Sequence, residues 1–327
     1  MRNVMFESDA NGIGLVTVAI YSVLRNADCN RPVRILLAHD DTFLAAGGKE
    51  KVLEVVQRIP SAEVEFANFM PLYRPLAAKM EREGTRWPPM VWGWVFAPML
   101  FPFATGNLVY IDLDTYTTCD LQELFELNLR QGNHLLAMVA ESRRPEGRFC
   151  NVDWWTTDTA LYNTGVVVMN TDAWLAEGIT MKIVDWFAAH KADVPFVEQD
   201  AANYICQGRI LRLPLKWNTN DNNLKELKLV DPTGKCLFEN LHPVREALEA
   251  MVSPKIIHYM FTHKPHRYNH RPERNRFREA MIELGQIRYA LPGENIFRML
   301  EGWFYDCKYA FLKRRARKLL QALPTNS

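Results

Sequence analysis

The sequence has no apolar run long enough to cross a bilayer. Its most apolar stretch, residues 91–104 (VWGWVFAPMLFPFA), has 14 residues and two prolines, whereas a spanning helix needs about 20 apolar residues. It reads instead as a buried, interrupted helix beneath a sheet. Paired cysteines are also lacking: the six lie at 29, 119, 150, 206, 236 and 307 with no CxxC. Neither a zinc ribbon nor a disulfide framework is indicated, and a reducing cytosol fits. There is no excess of one charge, since 39 basic and 38 acidic residues leave +1. Nucleic acid is therefore not an expected partner. Residue 2 runs directly into the strand-like NVMFES, which is unlike the charged start and apolar core of a secretory signal. A cytoplasmic protein is expected, without internal repeats or low-complexity tracts.

What is present is enough hydrophobic sequence, 48% of 327 residues, for a large α/β core. Strand-like and helix-like segments alternate: Val4–Glu7, a helix over Gly14–Asn26, Val33–Ala38, a helix over Lys49–Ile59, then Val64–Ala67, Leu108–Ile111, His134–Ala140 and Leu161–Asn170. Thr171 is placed as the cap of a helix running toward His190, and another helix spans Glu198–Cys206. Continuous apolar strands between helices imply a mostly parallel sheet covered on both faces. Past residue 215 the alternation stops, and 217–240 reads as loop.

The most informative stretch is 108–127, LVYIDLDTYTTCDLQELFEL. Side chains at i and i+2 of an extended segment point the same way. Asp112 and Asp114 can thus converge at a strand's C-terminal end, where open α/β sheets bind ligands. Two carboxylates crowded there call for a positive partner, and a hard divalent ion carrying phosphate oxygens suits them. The alternative is a plain strand-end turn. Asp120 fits a capping box with Glu123, and Asp112 and Asp114 lie too far upstream to share that role.

Other groups carry two readings each. Ser8-Asp9-Ala10-Asn11 follows the first strand, where Asp9 and Asn11 suit a base edge or a closed turn. Asn163-Thr164-Gly165 interrupts a strand, as a close ligand approach or a simple bulge would. Glu198-Gln199-Asp200 opens a helix, where acids also suit the dipole. Four of the eight histidines lie within 258–270, without the paired cysteines or HExxH spacing of a zinc site. A single histidine on a metal, with Lys264 on phosphate, fits better.

The tail contains six basic residues between 308 and 318 and no acid after Asp306. Tyr309, Phe311, Leu312, Ala316, Leu319 and Leu320 supply an apolar side. Such a helix over 303–320 favours an anionic membrane surface, which makes a peripheral position at the inner face of the membrane the expectation. A partner contact or solvated helix end is the alternative.

In order along the chain stand SDxN at 8–11, YxDxD at 110–114, NTG at 163–165, the EQD helix at 198–200, LPLKWN at 213–218 and HYxxxxKP at 258–265. Together they resemble family 8 glycosyltransferases, over residues 3 to about 266. The resemblance implies a GT-A fold, with residues 1–270 as the catalytic domain and 271–327 as a helical, basic extension. It implies a retaining hexosyltransferase that moves glucose or galactose from a UDP-sugar to a glycan acceptor, such as lipopolysaccharide or another lipid-linked saccharide. Asp112, Asp114 and His258 would hold Mn²⁺ or Mg²⁺, with Leu113 between the aspartates at the nucleotide. Asp9 and Asn11 would contact uracil and ribose, and Lys264 the diphosphate. Asn163, Gly165, Glu198, Gln199 and Asp200 would surround the donor sugar, with Glu198, Gln199 and Asp200 as the catalytic group. Asp200 and Glu141 are alternative electrostatic or nucleophilic candidates.

The chain departs from that pattern in places. Gly12 stands where an aromatic residue is usual. Residues 91–95 lack the arginine that many members carry, and Phe261 and His266 replace Gly and Trp of HYxGxxKPW. His263 or His266 is a candidate for the missing charge. Trp154 and Trp155, in the segment 141–160, offer one acceptor contact. Two rival functions remain: a nucleotide-sugar binder without turnover, and a haloacid-dehalogenase-like DxD phosphatase, which disfavours Tyr116 and so late a DxD.

Overall fold

The computed structural model describes residues 1–84, 87–143, 160–194, 196–220, 242–260, 264–287 and 296–323. The strands are β1 (Arg2–Ser8), β2 (Val33–His39), β3 (Ala62–Asn68), β4 (Asn107–Ile111), β5 (Thr115–Thr117), β6 (Leu136–Arg143), β7 (Ala160–Asn170), β8 (Ile210–Leu213), β9 (Thr219–Asn220) and β10 (Ile256–His258). Seven form one sheet in the order β3-β2-β1-β4-β7-β6-β8, and β5-β10-β9 form a small second sheet. In the large sheet β7 alone runs against its neighbours β4 and β6, while the other pairings are parallel. The mostly parallel sheet expected from continuous apolar strands is the one observed.

Strand geometry divides the core. Val4, Phe6, Ile35, Leu37, Val109 and Ile111 enter one apolar cluster, whereas Met5, Leu36, Leu108 and Tyr110 enter the other. Alternate residues thus feed opposite faces, and both faces are covered. Helix α1 (Ile13–Asn26) and α2 (Gly48–Val56) lie on the first face. The apolar stretch at 91–104 supplies Trp92, Trp94, Val95 and Phe96 to the second. It is the interrupted buried element expected, a 3₁₀ segment Pro89–Phe96 followed by a short helix Ala97–Leu100.

Several local expectations give way to tertiary contacts. Asp120 does not open a capping box. Its carboxylate takes Arg2 Nη1 at 2.8 Å, the Asp28 N–H at 2.7 Å and the Gln122 N–H at 2.7 Å, and the helix after it spans only Gln122–Phe125. Glu123 pairs with Lys255 instead. Asn170, not Thr171, caps the next helix by accepting the Ala173 N–H, while the Thr171 hydroxyl donates to Gly106 O. That helix ends at Ala176, and Gly178 in the left-handed region precedes α3 (Ile179–His190). Helix α4 (Val197–Ile205) follows. The end of the expected loop, 221–240, lies outside the described residues, and its start contains β9.

Beyond β9 come α5 (Val244–Val252), α6 (Arg274–Glu283) and α7 (Ile296–Ala322). Phe277 of α6 packs with Val18 of α1. Leu312, Ala316, Leu319 and Leu320 of α7 pack on Leu248 and Met251 of α5. The apolar side that the tail's sequence offers is therefore mainly its packing face. Phe311 is the exception and lies exposed, as do Ile296, Phe297, Met299, Leu300, Trp303 and Phe304. Ile296, Leu300, Trp303, Cys307, Phe311, Arg314 and Lys318 follow at three- and four-residue steps, which puts them on one outward face. That face starts apolar and ends basic.

No described helix is long and apolar enough to cross a membrane.

Candidate active site

Strand pairing assembles the acidic pair with a histidine far along the chain. β4 ends at Ile111, and the Asp112 N–H is held by Gly165 O of β7 at 2.9 Å. β5 starts directly after Asp114 and pairs antiparallel with β10, which puts Thr115 opposite His258. The Tyr259 N–H donates to Asp114 O at 2.9 Å and locks the register. His258 Nε2 then lies 3.4 Å from Asp112 Oδ2 and 3.1 Å from Asp114 Oδ1. Lys264 Nζ binds Asp114 Oδ2, and donates to Tyr259 O at 3.0 Å.

Charge follows this geometry. Burial works against an ionised Asp114, but Lys264 and His258 beside it outweigh burial and hold its pKa below the ordinary value. Burial likewise opposes charge on His258, yet Asp114 and Asp112 push its pKa up to about 10. One ligand atom from each of Asp112, Asp114 and His258 falls within 4.8 Å of the others. Two carboxylates and an imidazole suit Mn²⁺ or Mg²⁺ chemically, since hard oxygens dominate the set. His258 Nδ1 is 3.0 Å from Asn218 Oδ1. With Nδ1–H donating there, Nε2 is the nitrogen aimed at the carboxylates.

Gly165 makes room for that ring. A Cβ on it would collide with the imidazole of His258. The glycine in the strand therefore marks the approach of a protein side chain, and it lies at a bulge, the second of the readings the sequence offered. Around it the β6–β7 register slips between Met138 and Val139, where the partner of β6 jumps from Val167 to Asn163. Such a bulge aims side chains out of a ladder. Asn163 Oδ1 accepts from the Gly165 N–H at 2.9 Å and from Asn218 Nδ2 at 2.7 Å, and its Nδ2 donates to Glu141 Oε2 at 2.9 Å.

Asp112, Asp114, Glu141, Asn163 and His258 border one cavity with Glu7, Tyr110, Glu198 and Gln199. Its volume is about 150 Å³, against roughly 10–15 Å³ for one water on that measure. It has room for a small molecule. Gln199 Oε1 accepts from the Thr164 N–H at 3.1 Å and the Thr164 hydroxyl at 3.2 Å. Burial and the nearby Asp112 and Asp200 carboxyls hold the pKa of Glu198 well above its ordinary value. Asp200 is fully buried and turns back to its own helix start, accepting the Phe196 N–H at 2.9 Å. It does not line the cavity.

Asp9 and Asn11 stand on the same sheet edge but outside that cavity. Asp9 Oδ1 takes the Gly12 N–H at 2.9 Å, so it closes the turn at least in part. Gly12 is needed there: a Cβ would sit 2.6 Å from Ser8 Oγ and 3.0 Å from Leu113 Cδ2. Leu113 thus packs the first loop against the acidic turn. His266 is no substitute for a missing cation. Its pKa is pushed down to about 4 by burial, then by Arg267, and it stacks on Phe277. His263, Phe261, Trp154 and Trp155 lie outside the described residues.

Sequence reasoning passed over Glu7, Tyr110 and Asn218 as individual site residues. Tyr110 donates to Asp112 Oδ1 at 2.5 Å. The signals were present: an acid ending an apolar strand, and an asparagine closing LPLKWN.

A model of the family described as Glycosyl transferase family 8 matches residues 3–270. The chain is similar to a putative glycosyltransferase of Haemophilus influenzae, 21% identical over 230 residues, which are 66% of this chain and 62% of that protein. It is also similar to the lipopolysaccharide 1,2-glucosyltransferase of Escherichia coli strain K12, 25% identical over 232 residues, with 69% and 64% covered. A lipopolysaccharide 1,3-galactosyltransferase of Salmonella typhimurium is 25% identical over 140 residues, 39% of each chain. None of these matches spans more than 64% of the relative. Among solved structures, galactosyltransferase LgtC in complex with donor and acceptor sugar analogs superposes with a TM-score of 0.70 at 17% identity, covering 90% of this chain and 99% of that one. The bifunctional WbbM reaches 0.65 at 20% identity, over 93% of this chain and 51% of its own. At such identities the likeness concerns the fold, which is GT-A. With the family match running from the first strand past the histidine site, the chain belongs to glycosyl transferase family 8.

Proposed function

We propose that the protein is a retaining hexosyltransferase that takes glucose or galactose from a UDP-sugar and passes it to a saccharide acceptor, with Mn²⁺ or Mg²⁺ at Asp112, Asp114 and His258. The observation that carries this reading is the convergence of those three side chains on one cavity, with Lys264 paired to Asp114 beside it. A bound divalent ion there would supply charge neutralisation to a departing diphosphate. Lys264 supplies a second positive charge next to Asp114 and steadies the same leaving group. Asp9 and Asn11, with Leu113 behind them, hold the nucleoside at the sheet edge. Asn163, Glu198 and Gln199 border the transferred sugar, and Gly165 serves by admitting His258.

The retaining outcome is assigned to attack by the acceptor on the face the diphosphate leaves. Gln199 is an amide whose oxygen already accepts from Thr164, and Asp200 faces its own helix terminus. Neither is placed as a nucleophile. Glu141, hydrogen-bonded to Asn163, is the cavity carboxylate available to balance positive charge on the sugar.

The acceptor is taken to be a lipid-linked saccharide such as a lipopolysaccharide core, met at the inner membrane surface. Residues 1–270 are the catalytic unit and 271–327 the extension that docks it, through the outward face of α7. Incubation with UDP-glucose or UDP-galactose tests the reading. Mn²⁺-dependent release of UDP, without release of phosphate from simple phosphomonoesters, supports it. Tight UDP-sugar binding with no turnover on any acceptor extract favours a binding protein instead.

A further inference from the structure

Glu7 lines the cavity but has no part in the chemistry proposed above. It ends an apolar strand, and alternation along β1 sends it toward the cluster of Trp94 and Tyr110. A carboxyl 6% exposed is costly to place there unless its oxygens are satisfied. The backbone of the 3₁₀ segment is shaped around it. The Trp94 N–H donates to Glu7 Oε2 at 3.0 Å. Gly93 permits that approach, because a Cβ there would lie 2.6 Å from the same oxygen.

Its ionisable neighbours are the Asp112 and Glu198 carboxyls and the Tyr110 hydroxyl, which hydrogen-bonds it. Burial, followed by the Asp112 and Glu198 carboxyls, raises the pKa of Glu7 well above the ordinary carboxyl value. A carboxyl at a cavity wall offers oxygens that accept a hydrogen bond and, when protonated, an O–H that donates one. A sugar hydroxyl, which both donates and accepts, complements that pair. A sugar carboxylate would meet Asp112, Asp114 and Glu141 in the same lining, and like charges crowded there repel.

We propose that Glu7 is a specificity residue for the transferred sugar: it hydrogen-bonds a hydroxyl of a neutral hexose, and the acidic wall around it turns away sugars that carry a carboxylate. The inference rests on the nucleotide-sugar reading above, and the two fail separately. Calorimetric titration with Mn²⁺ present compares UDP, UDP-glucose, UDP-galactose, their monodeoxy analogues and UDP-glucuronic acid.

In the wild type, UDP-glucuronic acid should bind no tighter than UDP. One monodeoxy donor should bind about tenfold more weakly than its parent. Glu7→Met and Glu7→Ala should each lose about tenfold in affinity for the preferred UDP-hexose while UDP affinity holds within twofold. Their penalty should vanish on that same monodeoxy donor. Glu7→Gln, which keeps a donor and an acceptor, should stay near wild type. Equal losses for UDP and UDP-hexose, or tight wild-type binding of UDP-glucuronic acid, would overturn the assignment to Glu7. The wild-type measurements decide even if the two apolar variants fold poorly. Absence of UDP binding by the wild type would refute the nucleotide-sugar reading itself.

Discussion

Gly165 and His258 occupy space that admits only one side chain: the imidazole lies where a Cβ on residue 165 would have to be. The glycine is thus part of the metal-ligand geometry although it has no atom to offer a metal. Gly165→Ala should push His258 away from Asp112 and Asp114 and lower Mn²⁺ affinity by about 10- to 100-fold, as loss of an outer-shell support does. Isothermal titration with Mn²⁺ measures this, and circular dichroism should show the fold retained.

Asn218 holds the far nitrogen of the same ring, with Oδ1 at 3.0 Å from His258 Nδ1, while its Nδ2 reaches Asn163. Asn218→Ala frees the imidazole to rotate and leaves a buried N–H without its acceptor. Mn²⁺ affinity should fall about tenfold or more. Stability should fall by about 1–3 kcal/mol in urea unfolding.

The pH dependence follows from the direction of the His258 shift. To ligate a metal, His258 must lose a proton that Asp114 and Asp112 help it retain up to about pH 10. Apparent Mn²⁺ affinity should therefore rise by about tenfold per pH unit from 6.5 to 8.5, with one proton released per ion bound. For the metal-free protein the sign is opposite. A histidine whose folded pKa is raised contributes stability that is complete below its unfolded pKa of about 6.5 and is lost as pH rises through about 10. Calorimetry in two buffers of different ionisation enthalpy counts the proton.

If the outward face of α7 docks on a membrane as proposed, substitutions should separate that role from packing of the opposite face. Trp303 is 67% exposed, so Trp303→Glu should leave thermal unfolding unchanged but weaken binding to phosphatidylglycerol vesicles. Arg314→Ala and Lys318→Ala should each cost about fivefold in that binding, in a salt-dependent way. Ala316→Glu would bury a charge against Leu248 and Met251 and should destabilise the protein by about 3 kcal/mol or more. Vesicle sedimentation and unfolding curves measure the two effects independently.

Much of this was legible from the sequence because it depends on local period. Asp112 and Asp114 share a side by i, i+2 spacing, and the buried strands are recognisable as continuous apolar runs. His258 is another matter. Its place beside Asp114 depends on β10 pairing with β5, a contact between segments widely separated in sequence, and motif order pointed to it where spacing could not. Asp120 misled because the Arg2 guanidinium competes for the carboxylate that a capping box would use. The tail misled because a helix apolar on two sides does not reveal which side the domain covers. Glu7 was hidden in a strand whose alternation becomes informative only once the Gly93–Trp94 backbone is seen against it.

The central claim is that Asp112, Asp114 and His258 jointly hold a divalent ion at the nucleotide-sugar site. Titration of Mn²⁺ into the protein with UDP present, followed by electron paramagnetic resonance, tests it most directly. The wild type should bind one ion per chain at the UDP site. Asp114→Ala and His258→Ala should each lose that ion while keeping the wild-type circular dichroism spectrum. Wild-type affinity and stoichiometry in both variants would contradict the account.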